Sequence, residues 1–347
     1  MLKTGFIGAG TTGTALAVGL SQKKWPVVAV FSRTLSSAQK LARLAPDCQI
    51  CDTAQELVDI ADLVFITTPD DVIAQVCHEV QWRGNQSVVH CSGAHSVDIL
   101  EPAREHGATV GSFHPLQTFA SVDQATQNLP GSTFALEAEE PLLSTLKQLA
   151  ILLRGTWVKL KPGDKVLYHA AAVFACNYLV TLVKLALDLW QDFGVSPKEA
   201  TRALLPLLQG TVNNISDIGL PGCLTGPVAR GDLDTVERHL DALQAKDPSL
   251  LTIYKVLGLQ AIPIALAKGK VNEQKAEEMK ALLGHPEFFA RCHSEGADRP
   301  NNLTQGTLRQ APKGRRDSSP RQIGAQNDRR GVRTTEKEIR NESYAEK

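Results

Sequence analysis

Short, wholly apolar runs alternate with amphipathic stretches along the first half of the chain. An apolar run ending at Phe6-Ile7 leads into a glycine-rich turn and a helical stretch, Trp25-Pro26 breaks that helix, and Val27-Val28-Ala29-Val30-Phe31 follows. Runs of this length, β-branched and apolar at nearly every position, predict parallel strands covered on both faces. The pattern recurs at Leu63-Val64-Phe65-Ile66 after a helical stretch over 54–60, and at Ser87-Val88-Val89-His90. It recurs again at 108–113 after a helix over 97–106, and at 132–136 before a helix over 142–153. Such alternation specifies a doubly wound α/β sheet. Beyond Trp157 the period changes. Residues 165–193 contain no Gly or Pro and are apolar on most faces, which predicts one long helix stopped by Gly194 and buried all round, at the centre of a helical domain or at a subunit interface. Further helices are predicted over 197–209, 235–246, 249–267 and 272–283. Ser196-Pro197-Lys198-Glu199 is a capping box with proline at the first helical position, and Asp234-Thr235-Val236-Glu237 is a similar start signal. After Gly284 apolar periodicity ends, and such a segment buries too little surface to offset its ordering entropy. The expected organisation is an α/β domain over 1–160, an all-α domain over 161–284 and a disordered tail over 285–347.

The turn after the first strand reads Gly8-Ala9-Gly10-Thr11-Thr12-Gly13. In a strand–turn–helix context this G-x-G-x-x-G spacing predicts a dinucleotide site. Gly8 makes the tight turn, Gly10 lets the backbone approach the pyrophosphate, and Gly13 allows close helix packing, with Thr11 and Thr12 opening the helix whose N–H groups face the phosphates. About 20 residues beyond the last glycine, an NAD site normally places an acidic residue on the ribose 2′-hydroxyl. Here the second strand ends at Ser32-Arg33-Thr34. A guanidinium and two hydroxyls suit a 2′-phosphate, so the predicted cofactor is NADP. Thr67, Thr68 and Pro69 follow the Leu63–Ile66 strand, and Ser92 follows the Ser87–His90 strand. Both loops should lie on the ligand edge of the sheet.

Thirty-seven basic residues balance thirty-seven acidic ones. This even charge gives no signal for a nucleic-acid surface or a membrane face. No apolar run stands out as a membrane-spanning segment and no signal peptide is evident, so a cytoplasmic protein is expected. Seven scattered cysteines argue against a disulfide framework, and Cys48-x-x-Cys51 has no partners to complete a zinc site. No metal is expected.

Candidate chemistry lies in two places. His114, just after a predicted strand and before Pro115, is a proton donor or acceptor near neutral pH. His169 and Asn177, eight apart on the predicted long helix, share a face with Lys165. Thr225 and Arg230, in the turn-rich segment Leu224–Asp232, could close a substrate pocket, Arg230 holding a carboxylate.

In the glycine loop and Ser32-Arg33-Thr34, the N-terminal half resembles the deazaflavin-dependent NADP oxidoreductase-like and pyrroline-5-carboxylate reductase-like Rossmann domains. As a whole, residues 1–284 resemble a bacterial family that joins such a domain to a helical domain of unknown function 2520. The carrying residues are His90-Cys-Ser-Gly-Ala94, Phe113-His-Pro-Leu-Gln117, Tyr168-His169, Asn177 and Leu224-Thr-Gly-Pro-Val-Ala-Arg-Gly-Asp232. The resemblance implies a Rossmann domain followed by an all-α domain like the C-terminal domain of 6-phosphogluconate dehydrogenase, and a homodimer formed through it. It implies an NADP-linked oxidoreductase, and similarity to an alternative ketopantoate reductase points to a small 2-oxo acid. Asn177 would polarise the carbonyl, and His169 or His114 would supply the proton. Related hydroxyacid dehydrogenases carry a catalytic Lys four residues before the Asn, where this chain has Val173. Imine reduction and NADP sensing without turnover are the alternatives.

Overall fold

The computed structural model describes residues 1–284; the tail expected over 285–347 lies outside the described residues. The apolar runs form strands and the segments between them form helices. In chain order these are β1 (Thr4–Ile7), α1 (Thr11–Gln22), β2 (Val27–Phe31), α2 (Leu35–Leu44), β3 (Gln49–Ile50), α3 (Ala54–Ile60), β4 (Leu63–Ile66), α4 (Asp70–Glu79) and β5 (Ser87–His90). A 3₁₀ turn over Val97–Leu100 precedes α5 (Glu101–Glu105), β6 (Thr109–Leu116), α6 (Val122–Asn128), β7 (Thr133–Ala138), α7 (Leu142–Leu152) and β8 (Thr156–Lys159). The eight strands form one sheet in the order β3-β2-β1-β4-β5-β6-β7-β8. β1 to β6 are mutually parallel, β7 runs antiparallel to β6, and β8 is parallel to β7. The sheet thus turns antiparallel at one side, which the strand runs did not disclose.

Both faces are buried. On one, Phe6 stacks on Phe65 at 5.0 Å and Phe113 on Phe134 at 4.5 Å, making an aromatic row beneath α1 and α7. Each such ring contributes about 1.5–3 kcal/mol by leaving water. On the other face Ile7, Val64, Ile66 and Val88 pack with Trp82 and Leu100. Alternate side chains of one strand therefore serve opposite cores, as the all-apolar runs require.

The remaining described elements are helical: α8 (Asp164–Ala172), a π-helical turn over Val173–Asn177, α9 (Tyr178–Gln191), α10 (Pro197–Asp217), α11 (Pro227–Arg230), α12 (Leu233–Lys246), α13 (Pro248–Ala267) and α14 (Glu273–Leu283). Val236, Leu240, Ile262 and Met279 anchor their core. The Ser196–Glu199 capping box forms in full, and α10 continues through Pro206 to Asp217. At α12 the cap is Asp232, which accepts from the Thr235 N–H, rather than the predicted Asp234.

Two expectations are corrected here. The long apolar helix does not lie at the centre of the helical domain, one of its two expected places: within the chain, Leu167 is 78% exposed and Phe174 70% exposed, and Lys165 is the one buried residue of α8. Two helical segments, Asp164–Gln191 and Pro248–Ala267, are long and apolar enough to cross a membrane by length and composition, whereas the sequence was expected to hold none. Charged and polar residues interrupt these segments, so they do not stand out as uninterrupted apolar runs.

Candidate functional site

The glycine loop sits at the carboxyl end of β1, where ligands meet open α/β sheets. Gly8 has φ +104°, a conformation that favours glycine, and a Cβ there would lie 2.8 Å from the Thr67 backbone. The Thr67 hydroxyl donates to the Gly8 carbonyl at 2.7 Å. A Cβ on Gly13 would meet that hydroxyl at 2.3 Å and the Gly8 carbonyl at 2.6 Å. Thr67 thus holds the loop and helix together. Gly10 differs: a Cβ there would meet nothing within 4 Å. It caps α1 without a side-chain acceptor, and no acidic residue occupies the first turn at Thr11 and Thr12. Open space before free helix N–H groups fits a pyrophosphate. The Thr68 hydroxyl, buried without a partner among the described residues, adds a polar group to this edge, and Pro69 caps α4.

A cavity of about 450 Å³ continues from Gly8 and Gly10 to Ser32, Arg33, Thr34 and Ser37, with Val72 among its apolar walls. Ser37, absent from the predicted set, joins it from the first turn of α2. These residues could hold the adenosine half of a dinucleotide and a phosphate on its ribose. A larger cavity, about 570 Å³, includes Asp98, Arg104, Glu139 and Lys159 but none of the glycine-loop residues.

Further along the same edge lies a dense polar cluster. His114 is part of β6 rather than following it, and its Nδ1 lies 2.7 Å from the Tyr168 hydroxyl. The Tyr168 and His169 rings both meet His114 edge-on. A Cβ on Gly93 would sit 2.7 Å from His169 Nδ1 and 2.8 Å from His114 Nε2, so the two imidazoles converge on the one residue that leaves them room. His169 Nδ1 is buried with no hydrogen-bond partner among the described residues. Burial, together with neighbouring Lys165 and His169, pushes the His114 pKa down to about 4, which keeps the ring neutral at pH 7.

Lys165 lies beneath this cluster. Lys165, a predicted substrate residue, is 1% exposed, and its ammonium donates to the Ser92 carbonyl. Burial lowers its pKa to about 8, although nearby Glu137, Cys91 and Asp70 favour its charge. The Ser92 hydroxyl, expected to face the cofactor, donates to Asp70 at 2.7 Å and accepts the Ala94 and His95 N–H groups. Its visible work is to shape the Ser92–Gly93 turn. His90, Ser112 and Glu137 stand opposite one another across β5, β6 and β7, and each has a buried polar atom unpartnered among the described residues. Ser96 donates to the other Glu137 oxygen at 2.9 Å.

The structure does not bring every predicted residue here. Asn177 is exposed: the wider π turn between it and His169 breaks the 3.6-residue register that a shared face requires. Thr225 is exposed, and the Arg230 side chain, 65% exposed, lies 3.6 Å from Asp232. Tyr168 had no predicted role because an aromatic on an apolar helix signals packing; its hydroxyl gains meaning only from His114, 54 residues away. Among the described residues no group of three or more His, Cys, Asp or Glu is placed to hold a metal ion, and the six described cysteines are free.

Residues 1–115 match the Rossmann-like domain family, and residues 132–261 match the domain of unknown function DUF2520. No curated protein matches the chain. Among solved structures it is similar to BF3122 of Bacteroides fragilis, provisionally designated an NADP oxidoreductase. The identity is 26%, covering 75% of this chain and 97% of that one, with a TM-score of 0.59. Protein TM1727 of Thermotoga maritima is 25% identical over 76% of this chain and 99% of its own, with a TM-score of 0.64. A reductive aminase from Aspergillus terreus, in complex with NADPH and ethyl levulinate, shares the fold at 17% identity, covering 85% of this chain and 95% of that one, with a TM-score of 0.53. Two family models thus match successive stretches of the chain, the Rossmann-like domain first and DUF2520 after it.

Proposed function

We propose that this protein is an NADP-dependent oxidoreductase that reduces the carbonyl of a small 2-oxo acid. The observation that carries the reading is the placement, along one sheet edge, of an open glycine cradle at Gly8–Gly10 and two convergent imidazoles at Gly93. Arg33, Ser32 and Thr34 select the 2′-phosphate, while Thr67 fixes the cradle. NADPH, when bound, supplies the hydride that adds to the carbonyl carbon. The chain's own groups handle the oxygen: His114, held neutral, donates an N–H to it, and His169 gives up a proton that solvent restores. Asn177 and Arg230 take no part in this reading within one chain, because both are exposed.

The same reading includes a cytoplasmic homodimer. Leu167 on α8, Phe174 in the π turn, Val180 on α9 and Leu207 on α10 are exposed apolar residues that a second copy would cover. The test is purified protein with NADPH and a panel of 2-oxo acids, imines and aldehydes, followed by loss of reduced-cofactor absorbance, with ketopantoate first. Oxidation with 2-oxo acids is expected. Turnover of cyclic imines alone would assign imine reduction instead, and tight NADPH binding without any turnover would assign a sensor.

A further inference from the structure

The pair His114–Tyr168 spans two elements, and one of its two proton arrangements sets the stronger donor against the stronger acceptor. The Tyr168 hydroxyl lies 2.7 Å from His114 Nδ1, and no other hydrogen-bond partner of that hydroxyl exists among the described residues. If His114 donated from Nδ1, the weaker acid would donate to the weaker acceptor and the phenol proton would be left to solvent. If Tyr168 donates, the phenol is satisfied and the ring's own proton must reside on Nε2. Nε2 is the nitrogen that faces Gly93 beside His169 Nδ1.

We propose that Tyr168 is a positioning residue that fixes His114 as the tautomer with its proton on Nε2, and that the resulting neutral N–H selects a carbonyl oxygen over a protonated iminium as the acceptor. This rests on the oxidoreductase reading above and narrows its substrate class. A neutral N–H pointed at the reacting atom stabilises negative charge growing on oxygen, and it offers nothing to a cation. The charged groups around the ring act in the same sense. From α8, Lys165 and His169 both disfavour added positive charge on His114, and from α4 only Asp70 opposes them. Asp70 is engaged by the Ser92 hydroxyl, and Glu137 by the Ser96 hydroxyl. In the reaction the C=O π pair moves to oxygen as hydride reaches carbon. The oxygen is held by His114 N–H and takes its proton from His169 Nδ1 as the ring's Nε2 takes one from solvent, so His169 stays neutral overall and no imidazolate forms. His114 and Tyr168 end the cycle as they began it.

The test is a two-bond proton–nitrogen correlation spectrum of the full chain labelled with ¹⁵N-histidine, from pH 5 to pH 8, with His114 assigned by loss of its signals in His114→Gln. The expected wild-type pattern is a neutral ring protonated on Nε2 across this range. In Tyr168→Phe, which keeps the ring that meets His114 edge-on, the second tautomer should appear. The kcat for a carbonyl substrate should fall roughly tenfold, short of the 10²- to 10⁴-fold supplied by a proton-transfer group itself. NADPH affinity should stay within twofold of wild type. A wild-type ring protonated on Nδ1, a spectrum indifferent to Tyr168→Phe, or faster reduction of a preformed cyclic iminium than of any carbonyl would overturn the proposal. Failure of the oxidoreductase reading shows separately, as NADPH that binds or fails to bind without ever being oxidised, and the wild-type spectrum still decides the tautomer.

Discussion

Gly93→Ala adds one methyl at the point where His114 Nε2 and His169 Nδ1 converge, and its consequence can be worked from the distances. The new carbon would lie 2.8 and 2.7 Å from the two nitrogens, while ordinary contact begins at 3.4 Å, so each ring must retreat by 0.6–0.7 Å. No left-handed φ at Gly93 adds backbone strain, and the obstructing atoms belong to side chains. Overpacking should therefore cost about 1 kcal/mol of stability, at the low end for such changes. Activity should suffer far more, because a displacement approaching 1 Å in reacting geometry costs roughly 10²-fold in rate. The comparison is Gly10→Ala, whose methyl enters open space but fills the approach the pyrophosphate needs. The two variants should separate cleanly in steady-state NADPH oxidation, fluorescence titration of NADPH and urea unfolding. Gly93→Ala should lose kcat and keep cofactor affinity; Gly10→Ala should keep stability within about 0.5 kcal/mol and lose NADPH affinity at least roughly tenfold. A Gly93→Ala enzyme with kcat within twofold of wild type would refute the convergence of the two imidazoles on the reacting centre.

Three other outcomes are expected. Arg33→Asp should weaken NADPH by roughly 10- to 100-fold, the worth of a charge-assisted hydrogen bond, and leave NADH little changed; an unaltered preference in parallel titrations would remove Arg33 from the 2′-phosphate site. His114 has a folded pKa of about 4 against an ordinary value of 6.5, so below pH 6.5 the unfolded chain binds more protons and stability falls with pH until about 4. The loss attributable to this ring is on the order of 3 kcal/mol. His90, pushed down to about 3 by burial first and Lys165 second, adds in the same direction and extends the window lower. Urea unfolding between pH 7 and 4 should show the decline, and His114→Gln should flatten part of it. Finally, Phe174→Glu on the exposed apolar face should convert a dimer to monomer in light scattering; a wild-type protein already monomeric at high concentration would show that a second copy does not cover α8–α10.

Local chemistry decided much of this protein before any contact was made. Phe6-Ile7, Val27–Phe31 and Leu63–Ile66 are apolar at consecutive positions, which only a strand covered on both faces can use, and Ser196–Glu199 carries its own cap. The glycine loop was legible because spacing alone requires Gly8 to turn and Gly10 to leave room. Other features depend on where distant segments meet. An apolar period along 165–193 fixes a helix but not what lies against it, so it left the domain centre and a subunit interface both open, and only the fold shows that the chain itself leaves this helix uncovered. Periodicity cannot announce a π turn either, and that turn separates Asn177 from His169. Strand runs carry no direction, which is why the reversal at β7, and with it the row His90–Ser112–Glu137, belongs to the tertiary structure. The same holds for the site's chemistry. His114 and His169 were visible as titratable residues, but what each ring faces, and the burial that keeps His114 neutral, depend on Tyr168, Lys165 and Gly93 arriving from other parts of the chain. Sequence determined the elements and the cofactor cradle, because those follow from neighbours a few residues apart. The tertiary structure decided which polar groups meet around His114, because hydrogen bonds and burial depend on distance in space.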